Sequence, residues 1–238
     1  GSSELKRKDS IYQISMISKV GLIMVCAGSG KRLGYLDKAF VKLDRKPLFL
    51  HAFAAFKKFK QIKQVIFVFR ENSLKKARTL VKDQRAVFVK GGKHRKDSVF
   101  CGLKALDKSI EHVLIHDGAR PLVSEKIIRG VLVGLEKYPA VISAIPAQDT
   151  VKSIRRGFVS KTLNREEIFL VQTPQGFKKD ALLKAYDKYR DKKFTDDSQF
   201  IELLGLKVKV SVGSRFNLKI TYPEDVILAE AITQSRVR

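Results

Sequence analysis

The sequence predicts an α/β fold with a mostly parallel sheet and helices on both faces. Three observations predict it. Continuous apolar, β-branched runs recur at residues 22–26, 65–69, 86–89, 112–116 and 140–145, as in strands buried on both faces. Stretches with helical periodicity separate these runs, which implies βαβ units. A glycine-rich loop follows the first run directly.

Each element has a local reason. Leu22-Ile23-Met24-Val25-Cys26 is the first strand. Phe49, Ala52, Phe53 and Phe56 form an i, i+3, i+4, i+7 stripe, so 47–59 reads as a helix. The runs 65–69 and 86–89 are the next two strands. Val99, Leu103 and Leu106 place a helix over 98–106. The strand 112–116 ends at Asp117-Gly118, and Ser124 is an N-cap for a helix running to about 137. The strand 140–145 follows. Regularity breaks over 147–163, a Val-, Thr- and Lys-rich stretch that suits a hairpin turned around Gly157. Such a hairpin needs cover, which a second subunit would supply. A strand at 168–171, helices at 179–189 and 196–204, a strand at 207–212 and a helix at 223–232 complete the chain. Pro223 lies near the first turn of that last helix.

Composition narrows the class. The chain has 238 residues, 44% of them hydrophobic, enough for a sizeable core in one domain at roughly 150 residues per domain. Nothing approaches the roughly 20 apolar residues of a membrane span. The polar N-terminus lacks a secretory h-region, and Gly1-Ser2-Ser3 reads as a cloning scar on an extension over 1–18. Cys26 and Cys101 read as small buried hydrophobes of a reducing, cytoplasmic compartment, and no cysteine spacing suggests a structural metal. The net charge of +24 admits a polyanion partner. The lysines are nonetheless scattered in short runs without interleaved aromatics, which favours a solvated surface and no specific nucleic acid.

Several motifs carry chemistry. The loop Cys26-Ala27-Gly28-Ser29-Gly30-Lys31-Arg32-Leu33-Gly34 is a phosphate cradle by geometry, since small residues let amide hydrogens approach an anion. It fits neither the P-loop pattern nor the dinucleotide fingerprint. Lys31, Arg32 and Lys38 supply a cation density suited to a triphosphate. Gly91-Gly92-Lys93-His94-Arg95-Lys96-Asp97-Ser98 follows the third strand. It reads either as a base-reading segment with the Ser98 hydroxyl or as a turn capped by Asp97 or Ser98. Asp117 and Arg120 end a strand where ligands of open α/β sheets bind. They read either as a Mg²⁺ ligand and a phosphate fork or as an internal ion pair. His116 reads as a packed histidine. Thr195-Asp196-Asp197 is a helix cap or a ligand contact. Lys219 lies between Leu218 and Ile220 in what reads as a strand end, and is costly there without an anion. No nucleophile–base pair stands out, so the chemistry is one of positioning and charge stabilisation.

Taken together, these segments resemble the 2-C-methyl-D-erythritol 4-phosphate cytidylyltransferase family of the non-mevalonate isoprenoid pathway. The loop 27–34 with Lys38, Gly91-Gly92 through Ser98-Val99, and His116-Asp117-Gly118-Ala119-Arg120-Pro121 carry the resemblance. So do Pro146 with Asp149-Thr150-Val151-Lys152, Arg165, Gln172-Thr173-Pro174-Gln175, Thr195-Asp196-Asp197, Asn217-Leu218-Lys219-Ile220-Thr221 and Pro223-Glu224-Asp225. They stand in the family's order and span about 21–232.

The resemblance implies one Rossmann-like nucleotidyltransferase domain over 19–238 that forms a homodimer through an arm at about 147–165. It implies transfer of a cytidylyl group from CTP to a small sugar-alcohol phosphate, with Mg²⁺. Arg32, Lys38 and Lys219 become the catalytic cations and Asp117 the metal ligand. Cys26, Ala27, Gly28, Gly30, Gly92, Lys93, Ser98 and Gly118 become nucleotide contacts. Arg120 and Thr150 of one subunit, with Arg165 and Thr195 from the arm side of the other, would bind the acceptor. The chain departs from the family at Asp37-Lys38, where Pro-Lys is usual and the preceding loop is one residue shorter. Cys26 stands for an alanine and Lys93 for an acidic residue. The rival readings are a ribitol 5-phosphate cytidylyltransferase and, more remotely, a basic nucleic-acid-binding protein.

Overall fold

Strand β1 (Val20–Val25) lies inside a seven-stranded sheet because all of its side chains are apolar or absent. The structure, a computed structural model, describes residues 16–28, 30–34, 37–192 and 194–235. Residues 1–15 of the expected N-terminal extension lie outside them. Short 3₁₀ turns at Lys31–Leu33 and Lys38–Phe40 follow β1. A small ribbon of β2 (Lys42–Leu43) and β3 (Lys46–Pro47) leads into helix α1 (Leu48–Lys57). Then come β4 (Ile62–Phe69), α2 (Glu71–Leu80), β5 (Ala86–Lys90), α3 (Arg95–Lys104), β6 (His112–Asp117), α4 (Glu125–Leu135) and β7 (Ala140–Pro146). The hairpin β8 (Lys152–Arg155) and β9 (Phe158–Thr162) precedes β10 (Phe169–Lys178), α5 (Lys179–Tyr189), α6 (Ser198–Leu203), β11 (Val208–Val212) and α7 (Pro223–Ser235).

The sheet order is β11-β7-β10-β6-β1-β4-β5. All neighbours are parallel except around β10, which runs antiparallel to both β6 and β7. The expected mostly parallel α/β sheet is therefore present. Alternation along β1 sends Leu22 and Met24 into a layer with α1, α2 and α4 residues, and Ile23 into one with α3, α5 and α6. Truncating a fully buried side chain such as Ile23 to alanine costs about 2–5 kcal/mol. A third cluster joins Leu33, Leu43 and Leu48 to Ile220 and to Ala229 of α7, clamping the segment after β1 against the C-terminal helix.

Ser124 caps α4, accepting from Ile127 N, as the sequence implies. The hairpin turns at Arg156 (φ 50°) and Gly157 (φ 85°), a left-handed pair that glycine favours. The structure departs from the sequence reading in several places, among them β10, which runs on to Lys178 beyond the expected 168–171, and the unexpected β2–β3 ribbon. Helix α2 was not expected; its apolar stripe is narrow, Leu74 and Ala77 continued by Val81 just past its end, on an otherwise mostly polar and basic helix. Residues 217–220 are not a strand but an irregular segment that starts at a bend and is tied by Ile220 N to Ala119 O. Asp97 and Ser98 do not cap α3 from outside. The helix starts at Arg95, with Asp97 reaching back to His94 N at 2.9 Å. Cys101 is half-buried rather than buried, while Cys26 is buried as expected.

Candidate active site

The carboxyl ends of β1, β4, β5 and β6 define the site. Ladder bonds run just past the strand ends: Cys26 N to Val68 O, Gly91 N to Phe69 O and Gly118 N to Val25 O, at 2.8, 2.7 and 3.0 Å. The chain order reverses between β1 and β6, so the loops that follow them splay apart and leave a crevice. A cavity of about 430 Å³ opens there. Cys26, Ala27, Gly28, Gly30, Arg32 and Lys38 line it from the glycine-rich loop and the turn beyond. Gly92, Lys93 and Ser98 line the β5 side, and Asp117, Ala119 and Lys219 close it. Ser29 and the side chain of Lys31 lie outside the described residues. Among the predicted nucleotide contacts, Gly118 alone is not in the lining. A Cβ there would fall 2.5 Å from Cys26 Sγ, so Gly118 packs beneath the cavity floor while Ala119 forms the wall.

Charge is concentrated on one carboxylate. Asp117 Oδ2 receives Lys219 Nζ at 2.6 Å and Asp117 Oδ1 receives Arg95 Nε at 3.1 Å. Burial alone would raise this carboxyl, but Arg95, Lys219 and Arg120 hold it well below the usual range. The internal Asp117–Arg120 ion pair is not formed: Arg120 Nη1 donates to Asn217 O at 2.7 Å, and Arg120 Nε is buried without a hydrogen-bond partner among the described residues. Burial, then Lys219 and Arg32, push the half-buried Lys38 ammonium down to about 8 against the pull of Asp117. Arg32 stays exposed, its guanidinium 5.6 Å from the Tyr222 ring. Asp37, which precedes Lys38, is turned away to accept from the Ser73 hydroxyl of α2.

His116 is packed, as predicted. Its Nε2 donates to Arg120 O at 3.1 Å, because a carbonyl only accepts. Its Nδ1 then accepts from the Thr173 hydroxyl, whose oxygen takes Asp117 N, both at 3.1 Å. Burial lowers His116 to about 4, so it is neutral and aligns the Asp117 backbone. Burial pushes the Cys26 thiol well up, with Asp37 and Asp117 adding to the shift, so Cys26 fills space un-ionised.

A second cavity of about 370 Å³ adjoins the first and shares Arg95, Asp117 and Lys219 with it. Arg120, Thr173, Gln175, Thr195, Asp196 and Glu202 are among the residues of its wall. The predicted acceptor residues are therefore grouped differently from the expectation. Thr195 faces the same cavity as Arg120 within one chain. Thr150 and Arg165 are exposed in the arm region and line neither cavity, with Arg165 Nη1 donating to Gln148 O at 2.9 Å.

Sequence reasoning assigned no role to Arg70 or Arg95, which also line the nucleotide-side cavity. Arg70 Nε donates to Ala27 O at 3.3 Å from the end of β4. No motif announces Arg70. Arg95 lies in the quoted Gly91–Ser98 segment, but its partners Asp117 and Asp197 are distant in sequence, so nothing local marked it.

Comparison with known proteins meets this geometry. The IspD family model, described as 2-C-methyl-D-erythritol 4-phosphate cytidylyltransferase, matches residues 20–235. The chain belongs to this cytidylyltransferase family. Family relatives include a 2-C-methyl-D-erythritol 4-phosphate cytidylyltransferase of Bacillus cereus, 40% identical over 88% of this chain and 96% of its own length. Another, from Dehalococcoides mccartyi, is 42% identical over 90% of this chain and 96% of its own. The fold matches the solved 4-diphosphocytidyl-2C-methyl-D-erythritol synthase of Anaerococcus prevotii with TM-score 0.83 and 36% identity, covering 91% of this chain and 96% of that one. It also matches the Thermus thermophilus cytidylyltransferase with TM-score 0.77 and 30% identity, covering 92% and 100%. No helix among the described residues is long and apolar enough to cross a membrane.

Proposed function

We propose that the chain transfers the cytidylyl group of CTP to 2-C-methyl-D-erythritol 4-phosphate. The products are 4-diphosphocytidyl-2-C-methyl-D-erythritol, an intermediate of non-mevalonate isoprenoid synthesis, and pyrophosphate. One observation carries this reading: two cavities, one walled by a glycine-rich loop and cations, meet at a shared Arg95–Asp117–Lys219 seam. That is what joining two phosphorylated molecules requires.

An acceptor phosphate oxygen attacks the CTP α-phosphorus in line. The Pα–O bond to the β-phosphate breaks, and its electron pair leaves with pyrophosphate. The attacking phosphate is already ionised, so no general base is required. The obstacle is repulsion between anions, and fixed cations that need no reorganisation lower it. Arg32 and Lys38 hold the triphosphate and stabilise the crowded phosphorus. Lys219, on the seam, serves the α-phosphate. Gly92, Lys93 and Ser98 lie against cytosine and ribose, opposite Cys26, Ala27, Gly28 and Gly30. Arg120 and Thr195 bind the acceptor. Thr150 and Arg165 reach the acceptor of a second subunit, and the two chains form a homodimer through the arm.

The family implies Mg²⁺. Asp117 is the sole carboxylate among the described residues lining the nucleotide cavity. A Mg²⁺ carried on phosphates needs only one or two protein carboxylates, so the residues present fit it. Asp117 would hold the ion, which supplies charge neutralisation of the phosphates when bound. Two unpaired cysteines agree with a cytoplasmic setting.

The test is product analysis by mass spectrometry after incubation with CTP, Mg²⁺ and one acceptor at a time. The reading expects rapid pyrophosphate release with methylerythritol phosphate and little with ribitol 5-phosphate. The reverse preference would overturn it.

A further inference from the structure

We propose that Arg95, held from behind by Asp197, is a positioning residue that fixes Asp117 and, through it, Lys219 at the seam of the two cavities. The proposal rests on the role given above to Lys219.

The side chains form a row of alternating charge. Tyr186 Oη donates to Asp197 Oδ1 at 2.9 Å, and Arg95 Nη1 donates to Asp197 Oδ2 at 2.7 Å. Arg95 Nε then holds Asp117 Oδ1 at 3.1 Å, and Lys219 Nζ holds Asp117 Oδ2 at 2.6 Å. Asp197 is fully buried, and its backbone N–H donates to Gln175 Oε1 at 3.3 Å. Arg95 thus spans two carboxylates with two edges of one rigid plane. An ammonium is a point charge on a flexible stem and cannot reproduce that span.

Stability is a poor explanation for the row, because a buried ion pair gains little over apolar packing of the same volume. Position explains it better. Arg95 and Asp117 line both cavities, whereas Asp197 lines neither. Asp197 divides the pull of Arg95, so Asp117 keeps one oxygen for Lys219. Without the Asp197 charge, the guanidinium swings wholly onto Asp117 and competes with Lys219 for it.

The test measures kcat, both KM values and thermal melting for Arg95→Lys, Asp197→Asn, Lys219→Ala and the Asp197→Asn/Lys219→Ala double variant. Arg95→Lys and Asp197→Asn are expected to lower kcat about 10–100-fold with the KM for CTP within about threefold. The double variant should be no slower than Lys219→Ala alone, because both changes act through one ammonium. If Asp197→Asn fails to fold, the part-exposed Arg95→Lys, made alone and with Lys219→Ala, gives the same readout. Normal kcat in Arg95→Lys, or losses that multiply in the double variant while Lys219→Ala itself is slow, would overturn the positioning role. Normal turnover of Lys219→Ala would instead remove the role of Lys219, and this inference with it.

Discussion

The nucleotide cavity and the arm are opposites in construction. The cavity sits on strand ends locked by ladder bonds, and its central carboxylate, Asp117, is only 6% exposed. That carboxylate is paired within its own chain, with Arg95 and Lys219, and the remaining lining charges are cationic. The hairpin β8–β9 instead leaves Phe158 78%, Val159 60% and Ile154 55% exposed. Large apolar side chains on a two-stranded ribbon have no reason to face water unless a partner covers them. One region is closed by contacts of its own chain, and the other leaves apolar side chains in water, as the proposed homodimer requires. Thr150 and Arg165 lie on the arm side and line neither of the two cavities at the strand ends.

Substitutions sharpen this contrast in descending order of effect. Lys38→Ala strikes the self-sufficient region and should cut turnover about 1,000-fold with the fold intact. Steady-state kinetics and circular dichroism check this. Turnover within tenfold of normal would take Lys38 out of the machinery. Phe158→Glu strikes the incomplete region. Sedimentation should show monomers, with activity down about 10–100-fold from the unassembled acceptor site, while CTP affinity by calorimetry stays unchanged. A fully active monomer would break the contrast outright.

The smallest effect is one of pH. Lys38 carries an ammonium lowered from 10.5 to about 8. Activity of the free enzyme, read as kcat/KM, should fall about tenfold per pH unit above that value. Stability moves the other way. Between pH 8 and 10.5 the unfolded chain holds the proton and the folded chain does not, so this group makes the fold more stable as pH rises. Lys38→Arg should abolish the alkaline limb.

Much of the nucleotide side was legible in sequence because it is local. Apolar runs, the loop from Cys26 to Gly34 and the cap at Ser124 are written in consecutive residues. Lys219 drew notice as a cation between Leu218 and Ile220, but the reason differs from the structure: the segment is not a strand and Lys219 is exposed, paired with Asp117 at the cavity edge. The seam was not legible. Arg95 and Asp197 are 102 positions apart, and only the packing of α3 against the segment before α6 brings them to 2.7 Å. That Thr195 lines one cavity with Arg120 was hidden for the same reason, since nothing local says which cavity a loop will face. Helix α2 escaped because its stripe is short, Leu74, Ala77 and Val81 among mostly charged and polar neighbours, although that i, i+3, i+7 spacing was there to read.

The most direct test of the contrast mixes two dead proteins. Lys38→Ala keeps a sound arm, and Arg165→Ala keeps a sound nucleotide cavity. If the site takes its nucleotide half from one chain and its arm half from another, equal amounts exchanged into mixed dimers should recover roughly a quarter of wild-type activity. Mixtures as inactive as their components, with heterodimers verified by mass, would contradict the account.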